Sequence, residues 1–93
     1  MSKRILLVED DYALAMGTEY ALQSEGYEVI CADTLEKARK SLDESISLVL
    51  LDVMLPDGNG YTFCKEVPDY QGCVNLQAVL PNLQMQLFQR YQD

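Results

Sequence analysis

Three carboxylates carry most of the chemistry that can be read from this chain. Asp52 closes the apolar run Leu48-Val49-Leu50-Leu51, and Val53-Met54-Leu55-Pro56 and a turn from Asp57 to Gly60 follow it. Glu9 and Asp10 close a second apolar run, Ile5-Leu6-Leu7-Val8. Uninterrupted apolar runs of this length read as strands buried on both faces of a parallel sheet. Open α/β sheets gather their ligands at the carboxyl ends of such strands. If the two strands are neighbours, Glu9, Asp10 and Asp52 converge on one patch. Three crowded acids raise one another's pKa unless a cation neutralises them. An all-oxygen set in a chain without His or a C-x-x-C pair suits a hard cation such as Mg²⁺. The plainer reading makes Asp52 a cap on the following turn and the Glu9-Asp10 pair a charged strand exit. For Asp11 the plain reading is preferred, as a helix N-cap.

The elements that would position these acids alternate along the first two-thirds of the chain. Residues 12–24 form a helical stretch with Leu14, Gly17/Thr18, Ala21 and Leu22 on one face, stopped by Gly26. Residues 28–32 read as a strand centred on Val29 and Ile30. Thr34 caps a second helix, residues 35–43, with Leu35, Ala38 and Leu42 on its apolar face. Residues 47–52 make the third strand, and residues 60–67 a third helix that Pro68 terminates. A β-α-β-α-β-α order with short connections predicts right-handed crossovers and a parallel sheet. No G-x-G-x-x-G follows the first strand, so a dinucleotide-binding reading fails at its own fingerprint. The flavodoxin-like strand order fits better.

Composition bounds the rest. Ninety-three residues allow one small domain with a thin core. A net charge of −8 argues against a nucleic-acid-binding surface. Three cysteines outside any metal-binding spacing read as reduced thiols. The apolar run after Lys3-Arg4 is too short for a secretory signal, and Asp52 interrupts the longest apolar stretch. The chain is therefore expected to be soluble, cytoplasmic and without membrane contact.

Residues 5–11 and 48–60 resemble the two signature segments of the receiver domain of bacterial two-component response regulators. Glu9 and Asp10 match the acidic pair after the first strand, Asp52 the phosphoryl-accepting aspartate, and Pro56 and Gly60 the turn behind it. The Glu-Asp pair and Met54-Leu55-Pro56 are most similar to regulators with a winged-helix DNA-binding domain. The resemblance implies a flavodoxin-like, doubly wound parallel sheet in which Asp52 takes a phosphoryl group from a sensor histidine kinase. It implies Mg²⁺ held by Asp10, Asp52 and the main-chain carbonyl of Met54, with Glu9 acting mainly through bound water. The module is then expected to be a phosphoacceptor and not an enzyme.

The resemblance covers roughly residues 3–66, and the composition changes after it. Six Gln fall in residues 67–93 against one before, and no Ser, Thr or Lys follows Lys65. Receiver domains bring a Ser or Thr from the fourth strand and a Lys from the fifth to the phosphoryl group, and this segment offers neither. Pro81 and Asn82 lie roughly where the hydroxyl would fall. Residues 1–66 therefore read as the receiver's N-terminal portion. Residues 67–93 read as a divergent tail without an output domain, from a chain incomplete or frame-shifted after about residue 66. The expected sheet is an incomplete one of order 2-1-3, with a fourth strand over residues 74–80 open as an option. A helix over 82–91 and strand alternation there fit equally. An exposed edge beside the third strand would invite self-association, and the chain alone is expected not to bind DNA. Rival readings are a non-switching interaction module docking through its first helix, a non-functional fragment, and a Mg²⁺-dependent phosphatase of the haloacid dehalogenase type. The last wants an acid two residues after the nucleophile, where this chain has Met54.

Overall fold

In the computed structural model, which describes residues 3–66, 73–76, 78, 79 and 81, strands and helices alternate as the sequence pattern requires. The order is β1 Arg4–Val8, α1 Tyr12–Ser24, β2 Glu28–Ala32, α2 Leu35–Ser41, β3 Ile46–Leu51, β4 Met54–Leu55, β5 Gly58–Asn59, α3 Gly60–Lys65 and β6 Cys73–Asn75. The main sheet has the order β2-β1-β3-β6, and its pairings are parallel. The expected 2-1-3 core is present and a fourth strand does come from beyond residue 66. That strand is shorter and earlier than residues 74–80: it ends at Asn75, and Leu76, Ala78, Val79 and Pro81 are helical. The expectation for residues 82–91 lies outside the described residues.

Both faces of the sheet are covered, which is why the strand sequences do not alternate with polar residues. One face packs Leu6, Val8, Val49 and Leu51 against Leu35 and Ala38 of α2 and Phe63 of α3. The other packs Ile5, Leu7 and Leu50 against Leu22 of α1 and Leu76. Burying a side chain of Leu or Phe size contributes roughly 1.5–3 kcal/mol. The interior of β1 is therefore the stretch least tolerant of a polar substitution.

Local signals set the helix ends. Asp11 caps α1, its Oδ1 accepting from Leu14 N at 3.1 Å, so the plain reading of this acid holds. At the other end Gly26 adopts φ 94°, and Tyr27 N donates to Leu22 O while Gly26 N donates to Gln23 O. This paired closure of the last turn needs a left-handed residue, which Gly adopts without steric cost.

The start of α2 is held from two directions. Thr34 Oγ1 accepts from Lys37 N at 3.1 Å. Asp57 arrives from the β4–β5 hairpin, its Oδ1 accepting from Leu35 N at 2.8 Å and its Oδ2 from Glu36 N at 3.0 Å. A carboxylate receiving two free amides at a helix N-terminus is stabilised in its charged form. These amide bonds, that of Leu35 first, hold Asp57 below the usual carboxylate range. The hairpin, which the sequence suggested only as a turn, thereby becomes a brace between Asp52 and α2. Asp57→Ala should lower the melting temperature by a few degrees, while Asp57→Asn, which keeps an acceptor oxygen, should recover part of the loss. Equal melting of the wild-type and Ala proteins would show that the brace contributes nothing.

Candidate functional site

Parallel pairing of β1 and β3 aligns Val8 with Leu51, so both strands release their acids at one edge of the sheet. Asp52 N donates to Val8 O at 3.1 Å, and Glu9 N donates to Ala32 O at 3.0 Å. These main-chain bonds carry the ladder one residue past the strands and fix where Glu9 and Asp52 emerge. Glu9, Asp10 and Asp52 each present a carboxylate oxygen, and these atoms lie within 4.8 Å of one another. Asp10 is exposed, Asp52 half-buried and Glu9 only 4% exposed. The three acids singled out from the sequence are thus brought together. Met54, proposed to contribute its carbonyl, lies two residues beyond Asp52, and its amide faces Asp52 Oδ1 at 3.4 Å.

Glu9 is the electrostatic centre of the patch. Its Oε1 accepts from Asp11 N at 2.9 Å, but its buried Oε2 has no hydrogen-bond partner. Burial raises its pKa to about 7, the Asp11 amide opposes that rise, and repulsion from Asp52 and then Asp10 adds to it. A buried, half-satisfied carboxylate beside two others is a costly arrangement for protein atoms alone. A hard cation would offset the repulsion and take up Glu9 Oε2 directly or through water. The residues present fit such an ion.

The raised pKa of Glu9 has a signed consequence for stability. The folded state holds this proton more tightly than the unfolded chain, so the contribution is complete at acid pH. It declines as the pH climbs through about 7. Between pH 5 and pH 8 the urea-unfolding free energy should fall by about 2 kcal/mol on this account. Glu9→Gln should flatten that slope, and millimolar Mg²⁺ should reverse it by favouring the carboxylate. A wild-type slope equal to that of Glu9→Gln would remove Glu9 as its source.

Two further residues shape the site. Gly60 opens α3 against the end of β3, and its N donates to Val53 O at 2.7 Å. A Cβ at this position would stand 2.3 Å from Asp52 O and 2.5 Å from Leu51 Cδ1. The sequence marked Gly60 as part of the turn but not as the contact that sets the height of Asp52. Asn75 ends β6 in register with Leu51, and its Nδ2 faces Tyr61 Oη at 3.5 Å. Sequence reasoning looked for a polar group near Pro81 and Asn82 and passed over Asn75, because the strand was placed too late. A polar residue directly after Cys73-Val74 was the available signal.

Beside the acids runs a cleft of about 350 Å³ lined by Glu9, Asp10, Tyr12, Met16 and Lys37. Tyr12, Met16 and Tyr20 lie at helical spacing on α1 and are largely exposed. Lys37 is paired with Asp33 at 2.9 Å.

Comparison with known proteins agrees with this geometry. The family described as response regulator receiver domain matches residues 5–81. Regulatory protein VanR of Enterococcus faecium is 39% identical over 70 residues, covering 74% of this chain and 30% of VanR. The alkaline phosphatase synthesis transcriptional regulatory protein PhoP of Bacillus subtilis is 40% identical over 68 residues, covering 72% of this chain and 28% of PhoP. Among solved structures, the MaeR response regulator bound to beryllium trifluoride superposes with a TM-score of 0.72 at 32% identity. That superposition covers 81% of this chain and 66% of MaeR. The chain spans less than a third of the length of either curated relative.

Proposed function

Because this chain belongs to the response regulator receiver domain family, we propose that Asp52 is its phosphoacceptor, charged by a sensor histidine kinase with Mg²⁺ as cofactor. The observation that carries this reading is the convergence of Glu9, Asp10 and Asp52 with one Glu9 oxygen buried and unsatisfied. In the transfer, a carboxylate oxygen of Asp52 attacks the phosphorus of a phosphohistidine. The N–P bond breaks as the O–P bond forms, and the imidazole keeps the bonding pair and takes a proton from solvent. An acyl phosphate on Asp52 results. Mg²⁺, when bound, supplies positive charge to the phosphoryl oxygens. Asp10 and Asp52 would hold it directly, Met54 through its carbonyl, and Glu9 through bound water. Asp52 N–H, bonded to Val8 O, keeps the nucleophile at the strand end, and Gly60 sets how close α3 approaches it.

The exposed α1 face that borders the acidic cleft suits the kinase as partner, since a phosphohistidine must approach from that side. This role makes the module a phosphoacceptor within a signalling relay and not an enzyme with its own turnover. The similarity to the transcriptional regulatory protein PhoP supports a transcription-control setting for this receiver, and a cytoplasmic location would follow from it. Among the described residues no helix is long and apolar enough to cross a membrane. The −8 charge supports the view that these residues do not themselves bind DNA. Self-association would use the outer edge of β6, which among the described residues has no strand beside it.

The haloacid-dehalogenase alternative loses support from Met54. That side chain stands where a general acid would be needed, is 80% exposed and carries no proton to give. The non-switching interaction module keeps one observation in its favour, the absence of Ser, Thr and Lys from residues 67–93.

The test is a Mg²⁺ titration by calorimetry, followed by addition of beryllium trifluoride monitored by NMR. Wild-type protein should bind Mg²⁺ weakly, and Asp10→Ala should reduce the affinity at least tenfold with circular dichroism unchanged. Beryllium trifluoride should shift the Asp52 and Met54 amides only when Mg²⁺ is present. Unchanged Mg²⁺ affinity in Asp10→Ala would remove the metal site, and the phosphoacceptor reading with it.

A further inference from the structure

Helix α3 and strand β6 each carry one cysteine, and the fold brings the two together. Cys64 lies on the last turn of α3 and Cys73 opens β6 beside Val49 of β3. Both are half-buried, and both pack on the core that holds Val49, Leu51 and Phe63. They line the same small cavity, about 100 Å³, with Leu51 and Gly60 also in its wall. The two side chains are thus neighbours across one cavity wall and one core cluster. The third cysteine, Cys31, is exposed on β2, separated from β6 by both β1 and β3.

We propose that Cys64 and Cys73 are a redox modification site, closing into a reversible intramolecular disulfide that staples α3 to β6. Two thiols that line the same small cavity, with that space to take up their rotation, can meet disulfide geometry with little main-chain movement. The oxidant is a low-molecular-weight disulfide such as glutathione disulfide. The Cys64 thiolate attacks one of its sulfurs, forming a mixed disulfide and releasing one glutathione thiol. Cys73, after losing its proton to solvent, attacks the Cys64 sulfur and displaces the second glutathione. The two cysteines lose two electrons and two protons, and glutathione disulfide becomes two thiols. The order follows from the surroundings: burial, and next the neighbouring Cys64, push the Cys73 thiol up to about 12. Cys73 is therefore assigned the second attack.

The consequence reaches the acidic edge. Gly60, one helical turn before Cys64, abuts the Asp52 carbonyl. β6 is held to β3 over only three residue pairs. A covalent link between α3 and β6 fixes this short strand and the helix behind Asp52 as one unit. None of this depends on phosphorylation at Asp52.

The experiment uses the whole 93-residue chain incubated with glutathione disulfide at pH 8. Mass spectrometry should show the intact chain lighter by two hydrogens. Tryptic peptides 41–65 and 66–90 should be joined, and dithiothreitol should release them. Oxidation should raise the melting temperature by on the order of 10 °C, because the bridge removes loop-closure entropy from the unfolded chain. Cys31→Ser should show the same rise, while Cys64→Ser and Cys73→Ser should each lose it. Persistent glutathione on Cys64, a bridge that includes Cys31, or a disulfide-linked dimer would each overturn the proposal.

Discussion

Gly60→Ala should cost about 3 kcal/mol of folding stability and weaken the acidic site in the same step. The new methyl would stand 2.3 Å from Asp52 O and 2.5 Å from Leu51 Cδ1. A leucine methyl can rotate away, but the Asp52 carbonyl is main chain at the end of a paired strand. Relief must come from sliding α3 outward or pushing the Asp52 peptide. The first loosens fully buried Phe63, and the second displaces the carboxylate from Glu9 and Asp10. Overpacking of a tight contact typically destabilises by about 1–3 kcal/mol, and a main-chain clash belongs at the upper end. Gly17→Ala is the matched control. It lies inside α1 with nothing within 4 Å of its Cβ position, so helix propensity alone should stabilise the protein there by about 0.5–1 kcal/mol. Urea unfolding of the two variants reads the contrast directly, and a Mg²⁺ titration of Gly60→Ala reads the displacement. Two variants of similar stability would mean that α3 is not seated against Asp52.

The contrast between these two glycines shows what a sequence makes legible. Periodicity and caps located the first three strands and α1 to within a residue or so, because each is specified by its own residues. Asp11 and Gly26 close α1 locally, and the runs ending at Val8 and Leu51 are apolar because both sheet faces are covered. The convergence of Glu9, Asp10 and Asp52 was legible for a related reason. Parallel neighbours with short connections must release their carboxyl ends on one side.

Features set by tertiary contact were not legible. Asp57 looks like an ordinary turn residue until its carboxylate is found on the amides of Leu35 and Glu36, more than twenty positions earlier in the chain. Thr34 announces this cap locally, but the share that Asp57 takes in it has no local signature. β6 was placed too late because Val74, Leu76 and Val79 fit more than one period, and only pairing with Val49, Leu50 and Leu51 decides its register. Leu76 then leaves the strand and buries itself with Ile5 and Leu7, a choice made by the sheet face and not by propensity.

Asp52 should accept a phosphoryl group from acetyl phosphate on the order of a hundredfold or more slower than a receiver holding both of the usual supporting side chains. The nucleophile and the acids that would hold the cation are in place. The two groups that bind the transferred oxygens in this family, a hydroxyl and an ammonium, have no counterpart in residues 67–93. The pairing of β3 with β6 ends at Leu51 and Asn75, and Leu76 beyond it has left the strand with its apolar side chain fully buried, so it brings no hydroxyl or ammonium to Asp52. The Asn75 amide is directed to Tyr61 Oη instead. Lys37, the cation lining the adjoining cleft, is engaged with Asp33. Charged hydrogen bonds contribute about 1.5–3 kcal/mol each. Losing one accounts for roughly tenfold to a hundredfold in rate and losing both for more. Without a hydroxyl to draw the loop inward, phosphorylation should also leave the oligomeric state unchanged. Mass spectrometry over a time course with acetyl phosphate and Mg²⁺ measures the first effect, and light scattering before and after labelling measures the second. Asp52→Asn should show no labelling at any time. Stoichiometric labelling of the wild-type chain within minutes, or a phosphate-dependent dimer, would show that groups elsewhere in the chain supply the missing contacts.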